Sequence, residues 1–189
     1  ASAIQLEQQI NLVNDEQENS NCDYLLKFGK LLNSIGENLF TGWQKKNTKT
    51  SNELVSELFT SLEKKLPFVL ILLNHSDDDI SESVVEYCMH YISILKINKI
   101  KSRDQQNFIE NMLSIVINKT KYDLSFNFDN EGEDEAMFLE YRKNVRLVFD
   151  SIAQLDNDFV LNTIKNLVIN TASSWQMKSY VDIENALYL

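Results

Sequence analysis

The chain has 189 residues, a formal net charge of -10 and 43% hydrophobic residues, which provide enough apolar surface for a substantial core. It contains only 4 glycines and 1 proline, and because turns consume these residues, the composition disfavours an all-β fold and favours helices joined by polar loops. The excess of acid disfavours tight binding to a phosphate backbone and favours either a basic partner or simple solubility.

Cysteine usage and the N-terminus indicate a reduced intracellular protein. Cys22 and Cys88 are far apart and form neither a disulfide framework nor a CxxC metal pair. The first ten residues lack the basic and apolar regions of a secretory signal. The longest apolar run, 68–73, is too short to cross a bilayer, so we expect no contact with a membrane.

Apolar residues recur at spacings of three and four in the first half of the chain, which predicts buried helical faces. Thr50 and Glu53 match a capping box that starts one of these helices. Pro67 should kink that helix, because proline removes a backbone donor and crowds the preceding turn. An acidic turn at 75–79 follows. The expected helices are about 3–13, 21–45, 50–74 and 80–95.

The second half continues the same pattern. Ser102 and Gln105 form another capping box, before a helix that runs to about Lys119. An acidic loop from about Tyr122 to Asp134 separates it from the next helix. Asp156 lies in the polar cluster 156–158, which should cap the helix that follows. The expected helices are about 102–119, 135–155, 157–168 and one that begins near 174.

Together these elements predict an all-α fold, an α-solenoid of about four antiparallel HEAT-type helix pairs that belongs to a larger superhelix. The repeat length, about 50 residues, is near the 40–47 residues of HEAT and armadillo units. The chain ends on an apolar, uncapped pattern, which favours a fragment. The expected pairs are 1–46, 50–97, 102–155 and 156–189, the last of them truncated.

Residues with catalytic or ligand-binding chemistry do not converge in this sequence. His75 and His90 are the only histidines, and Cys88 lies two residues from His90, on another side of a helix. Neither a P-loop nor a GxGxxG motif occurs. The carboxylates at 77–79 and 133–135 lie among like charges, without the burial that tunes catalytic acids. We therefore expect no catalytic residue, metal, cofactor or small-molecule substrate.

The acidic loop is the most distinctive stretch of the chain. A segment this acidic repels itself and gains nothing by burial, so it is either a solvated connection or the contact surface for a basic partner. Its candidate binding residues are Asp129, Glu131, Glu133, Asp134 and Glu135.

Arg142 and Arg146 follow on one helical stripe, with Asp150 a further four residues along. One interpretation is a ladder of ion pairs on the helix surface, worth a few tenths of a kcal/mol per pair. The other is a small cationic strip that faces a ligand. The sequence leaves both open.

The segment 127–143, which reads N-F-D-N-E-G-E-D-E-A-M-F-L-E-Y-R-K, resembles the exportin-t family of the importin-β superfamily. The likeness extends upstream to the acidic turn before Ile80 and Ser81, and downstream to Trp175-Gln176. Near the end of the chain it takes in a V-x-x-E-x-A-L pattern, with Val181, Glu184, Ala186 and Leu187.

This resemblance implies the central block of a nuclear export receptor, a HEAT superhelix that binds tRNA cooperatively with Ran-GTP and carries it past nuclear pore proteins. Such a receptor shuttles between nucleus and cytoplasm and is not an enzyme. By analogy, Asp129–Glu135 would face Ran, and Arg142 and Arg146 would lie on the concave face. The alternatives are a related transport receptor with protein cargo and a helical regulatory scaffold.

Overall fold

The computed structural model describes residues 15–47, 52–100, 102–126 and 132–189. Every regular element within these ranges is helical, so the predicted all-α class is confirmed. The expected helix at 3–13 and the Thr50 capping residue lie outside the described residues. The chain divides into two compact units, Ala1–Ile94 and Leu95–Leu189. Its division into four HEAT-type pairs stays a prediction.

The first unit packs shorter helices against one long helix. Helix α1 contacts α2, α3 and α4, and its buried face includes Leu25, Leu32 and Trp43. Within the described residues, no helix of either unit has the length and apolar character needed to cross a bilayer. The helices are α1 Asp15–Asn47, α2 Asn52–Glu63, α3 Leu66–Leu73, α4 Asp78–Glu82 and α5 Val85–Asn98, which continues into the second unit.

The single kinked helix expected over 50–74 is wrong, because the chain forms two separate helices there. Helix α2 ends at Glu63, and Pro67 lies in the first turn of α3. A proline ring crowds the carbonyl four residues earlier, which here belongs to Glu63, whereas the first turn of a helix tolerates proline. The Tyr87 hydroxyl donates to the Leu62 carbonyl at 2.8 Å and thereby satisfies an acceptor at the break.

The next expected helix, 80–95, is also divided. Helix α4 ends at Glu82, and α5 begins at Val85. The Ser83 hydroxyl donates to the Ile80 carbonyl at 2.6 Å and turns the chain between them. Helix α1 comes so close at this point that a Cβ on Gly29 would collide with the Ser83 side chain. Glycine at this position therefore allows a close approach of α1 to the turn after α4.

The second unit contains the remaining helices, and each packs on the next. The predicted capping box is confirmed, since Ser102 Oγ accepts from Gln105 N and the Gln105 side chain accepts from Ser102 N. Asp156 caps the following helix by accepting from Phe159 N at 3.0 Å. The helices are α6 Arg103–Lys119, α7 Glu133–Leu155, α8 Asn157–Ser173 and α9 Tyr180–Tyr188, with a 3-10 turn at Trp175–Met177.

The expected start of the last helix near Ser174 is wrong by about two turns. Residues 175–177 form the 3-10 turn, and α9 begins only at Tyr180. Ser179 is extended and accepts a hydrogen bond from Asp182 N at 3.3 Å, which makes it the N-cap of α9.

Candidate functional site

The acidic connection between α6 and α7 contains the first five candidate residues. Asp129 and Glu131 lie outside the described residues. Glu133, Asp134 and Glu135 form the first turn of α7, which begins earlier than expected. Carboxylates in a first turn are stabilised by the helix dipole, by about 0.3–1 kcal/mol each. Glu133 and Glu135 therefore have a local structural role in addition to any role toward a partner.

An aromatic cluster joins the two ends of this connection. The Tyr122 ring centroid lies 4.1 Å from that of Phe126, which follows α6. It lies 5.3 Å from that of Phe138, which belongs to α7. The centroids of Phe126 and Phe138 are 6.4 Å apart. Aromatic pairs at these distances are favourable beyond the area they bury. Residues 127–131 therefore connect two stems that are packed against each other.

The stem before the acidic residues is a side-chain-stabilised turn. Asp123 Oδ1 accepts hydrogen bonds from the Ser125 hydroxyl at 2.6 Å and from Ser125 N at 2.8 Å. These hydrogen bonds hold the pKa of the Asp123 carboxyl below its ordinary value. The Tyr180 hydroxyl of α9 lies 2.9 Å from both the Leu124 and the Phe126 carbonyl oxygens, and it donates to this pair.

Helix α9 is fastened to the end of α6 by further polar contacts. Asn185 Nδ2 donates to the Ile117 carbonyl at 2.8 Å, which satisfies an acceptor in the last turn of α6. The Thr120 hydroxyl donates to Asn185 Oδ1 at 3.0 Å. Lys121 Nζ lies 2.6 Å from Asp182 Oδ1. The bonds from Lys121 and then Ser179 hold the pKa of Asp182 below its ordinary value.

Arg142 joins α7 to α9 from inside the fold. Its guanidinium donates to both carboxylate oxygens of Glu184, at 2.9 and 2.7 Å, and only 3% of the residue is exposed. The Arg142 Cζ atom lies 3.6 Å from the Tyr188 ring centroid and 4.3 Å from that of Tyr122. A bidentate, stacked arginine of this kind is not replaceable by lysine.

Arg146 contacts the same helix one turn further along α7. Its Nη1 donates to the Tyr188 carbonyl at 2.6 Å, and its Nε lies 3.8 Å from Asp150 Oδ1. The structure thus uses both arginines to hold α9, and the contact between Arg146 and Asp150 belongs to the predicted ladder. A role of Arg142 or Arg146 toward a ligand stays a prediction.

The residues that complete this site were not identified from the sequence. Glu184 and Tyr188 are 42 residues from the arginines they contact, and Tyr180 is 54 and 56 residues from its acceptors. No local pattern reports such contacts. The one available signal was that Arg142 has no acid three or four residues away along its own helix, while Phe138 and Tyr141 lie next to it.

The histidines and the buried cysteine have structural surroundings. His75 Nδ1 accepts from Asp77 N at 3.0 Å, and the His90 ring stacks on Phe40 at 4.5 Å. Desolvation lowers the pKa of His90 and raises that of Cys88 to about 12, so the Cys88 thiol stays protonated at neutral pH. In the part of the chain that the structure describes, no three His, Cys, Asp or Glu side chains gather into a metal-binding group.

These features define an all-α protein in which a charged connection is held at both stems and helix α9 is fastened by the buried Arg142 and its ion pair with Glu184. The Exportin-T family model matches residues 52–189 of the chain. The chain therefore belongs to the Exportin-T family.

Individual relatives agree with this assignment. The chain is similar to Exportin-T of Danio rerio, with 36% identity over 188 residues, 100% of this chain and 20% of the relative. Exportin-T of Homo sapiens is 37% identical over 177 residues, 93% of this chain and 18% of the relative. A fungal relative, Exportin-T of Candida albicans, is 27% identical over 143 residues. The chain spans about one fifth of the length of the vertebrate relatives, at 18–20%.

Proposed function

We propose that the chain is the central part of a nuclear export receptor that binds tRNA cooperatively with Ran-GTP. The observation that carries this proposal is the similarity to vertebrate Exportin-T, which in Danio rerio extends over 100% of the chain. The receptor acts as a binding scaffold without a catalytic step, shuttles between nucleus and cytoplasm, and contacts nuclear pore proteins during passage.

Within this receptor, we assign the acidic connection to the contact with Ran. Six acids lie within residues 129–140, and Glu133 is exposed at the start of α7. The aromatic cluster and Tyr180 hold the stems on either side of these acids. Acidic groups that face a basic partner increase association rates and specificity more than raw affinity.

The test of the receptor function uses a full-length receptor that contains this chain. Labelled tRNA is titrated with the receptor, with and without Ran-GTP. We expect tight tRNA binding only when Ran-GTP is present. Equal tRNA binding in both conditions would contradict the proposal. Ran-dependent capture of a protein and not of tRNA would also contradict it and would favour a receptor for protein cargo.

The test of the acidic connection compares two double charge reversals in the same receptor. Glu133→Lys with Glu135→Lys should weaken Ran-GTP binding, mainly through a slower association rate at low salt. Glu53→Lys with Glu57→Lys is the matched control, because both of these acids are exposed and Glu53 also lies in the first turn of a helix. Equal association rates for the two variants would remove the connection from the Ran contact.

A further inference from the structure

A second charged surface lies at the other end of α6, and it has the opposite sign. No Asp or Glu occurs from residue 87 to residue 103. The last eight residues of this stretch contain Lys96, Lys99, Lys101 and Arg103. In a chain with a net charge of -10 this is a local excess of cations. These cations follow no helical period, so they form no charged stripe along a helix.

Two of these lysines line a cleft of about 470 Å³ in the second unit, which we call the lysine cleft. Its polar walls are formed by Lys96, Lys99, Gln106, Gln154 and Asp156. Lys96 Nζ donates to the Gln154 amide oxygen at 2.9 Å, so its contact is with a neutral group. Lys99 is exposed and forms no ion pair with any residue in the described ranges. Both ammonium groups therefore keep an uncompensated charge.

The one acid in the lysine cleft is engaged elsewhere. Asp156 caps helix α8 by accepting from Phe159 N at 3.0 Å, so its carboxylate interacts with the positive end of that helix dipole. The two glutamine side chains can donate N–H groups to an anion. The lysine cleft thus contains two cations and two amides, and its single carboxylate already accepts a hydrogen bond from Phe159 N. The ammonium and amide groups are donors suited to an oxyanion.

The backbone at Lys99 gives an independent indication. Lys99 has a φ of 60°, in the left-handed region, and its N–H donates to the Leu95 carbonyl at 2.7 Å to end helix α5. Glycine is the favoured residue at this helix-ending position, because it lacks a Cβ. Residues other than glycine that are held in this region are concentrated at functional sites. The fold alone does not require a lysine side chain here.

From these observations we infer that the lysine cleft binds phosphates of an RNA backbone through Lys96 and Lys99. The inference rests on the proposed function, which supplies an RNA cargo. Lysine ammonium groups bind phosphates as point charges, and backbone contacts position a structured RNA without reading its sequence. The contact should release counterions and therefore depend on salt.

The experiment measures tRNA affinity at several salt concentrations, in the full-length receptor with Ran-GTP present. Lys96→Gln with Lys99→Gln should weaken tRNA binding by roughly tenfold at low salt and reduce the salt slope by about 2. Lys165→Gln with Lys178→Gln is the matched control, because it removes the same charge from exposed positions of the same unit. The control should keep the slope of the wild type.

A glycine variant separates the role of the Lys99 side chain from its effect on folding. Lys99→Gly relieves the left-handed backbone, so the protein should remain as stable as the wild type. We expect it nevertheless to lose tRNA affinity by several-fold and to reduce the salt slope by about 1. Unchanged tRNA binding by Lys99→Gly would overturn the assignment of Lys99.

The possible outcomes distinguish this inference from the proposed function. If the wild-type receptor shows no Ran-dependent tRNA binding, the proposed function fails, and the inference fails with it. If the wild type binds tRNA and the Lys96/Lys99 variant equals the control variant, only the lysine cleft is excluded. If the Lys96/Lys99 variant loses Ran-GTP binding measured without tRNA, the lysine cleft contacts protein, which also overturns the inference.

Discussion

The connections at the two ends of helix α6 differ in charge and in how they are held. The connection before α6 is cationic, and it is stabilised by its own neighbours through the Lys99–Leu95 hydrogen bond and the Ser102–Gln105 capping box. The connection after α6 is acidic, and its first stem is held by Tyr180, more than fifty residues away. The connection before α6 is held by near neighbours along the chain, whereas the stem after α6 depends on a distant helix in addition to its local Asp123–Ser125 hydrogen bonds.

The length of α6 keeps these two charges independent. Its 17 residues extend over roughly 25 Å at about 1.5 Å per residue. The Debye length at physiological salt is about 8 Å, so salt screens most of the interaction between the opposite charges at the two ends. The two ends of α6 can therefore present a basic surface to one partner and an acidic surface to another.

The largest effect should come from removing the partner of the buried arginine. Glu184→Ala leaves Arg142 enclosed without its carboxylate, so we expect a loss of about 2–3 kcal/mol in the free energy of unfolding of the second unit. Chemical denaturation measures it. The control Lys143→Ala removes an exposed pair with Glu140 and should cost less than about 0.5 kcal/mol. Equal midpoints for the two variants would contradict the role of α9 as a fastened helix.

A smaller effect is expected where α9 holds the acidic stem. Tyr180→Phe keeps the ring and removes the hydroxyl that donates to Leu124 and Phe126, which should cost about 1 kcal/mol. Hydrogen exchange should become faster at residues 122–126 and stay unchanged at 97–103. The matched control, Tyr24→Phe, changes an exposed tyrosine that stacks on Phe28. Slower or unchanged exchange at the acidic stem would show that the stem is held without Tyr180.

A still smaller effect is expected for the loss of stability at acid pH that arises from Asp182 on α9. The pKa of Asp182 lies below its ordinary value of 3.8 in the folded state, chiefly because of Lys121. Its stabilising contribution is therefore complete above that ordinary value and is lost as pH falls through the lower, folded pKa. Asp182→Asn should flatten this part of the stability profile below about pH 4.

The partner variant tests the cause of that dependence. Lys121→Met should flatten the same part of the profile, because Lys121 is the larger of the two hydrogen-bonding influences on Asp182. Exposure of the pair limits the size of the effect, since the Lys121 and Asp182 side chains are 37% and 30% exposed. A profile for Lys121→Met identical to that of the wild type would assign the shift to Ser179 instead.

The sequence predicted the features that depend on neighbours along the chain. The Ser102 capping box and the Asp156 cap follow from hydrogen bonds that span three residues, and helical periodicity identified the all-α class. The break before Pro67 was predicted only as a kink. Periodicity cannot locate a point where Tyr87 supplies a hydrogen bond from another helix.

The site itself was only partly predictable. The acidic residues and both arginines were recognised by their charge, but Glu184 and Tyr188, which hold those arginines, come from a helix 42 residues later. The lysine cleft was missed although its signal was present, in the acid-free stretch from 87 to 103. A search for charged helical stripes overlooks cations that gather at the end of a helix.

Hydrogen exchange of the full-length receptor tests whether the two ends of α6 contact different partners. Exchange is measured in the free receptor, with Ran-GTP alone, and with both Ran-GTP and tRNA. We predict slower exchange at residues 132–136 as soon as Ran-GTP is added, and slower exchange at 97–103 only after tRNA joins. Protection of both connections by the same partner, or of neither in the full complex, would show that the two ends of α6 do not contact different partners.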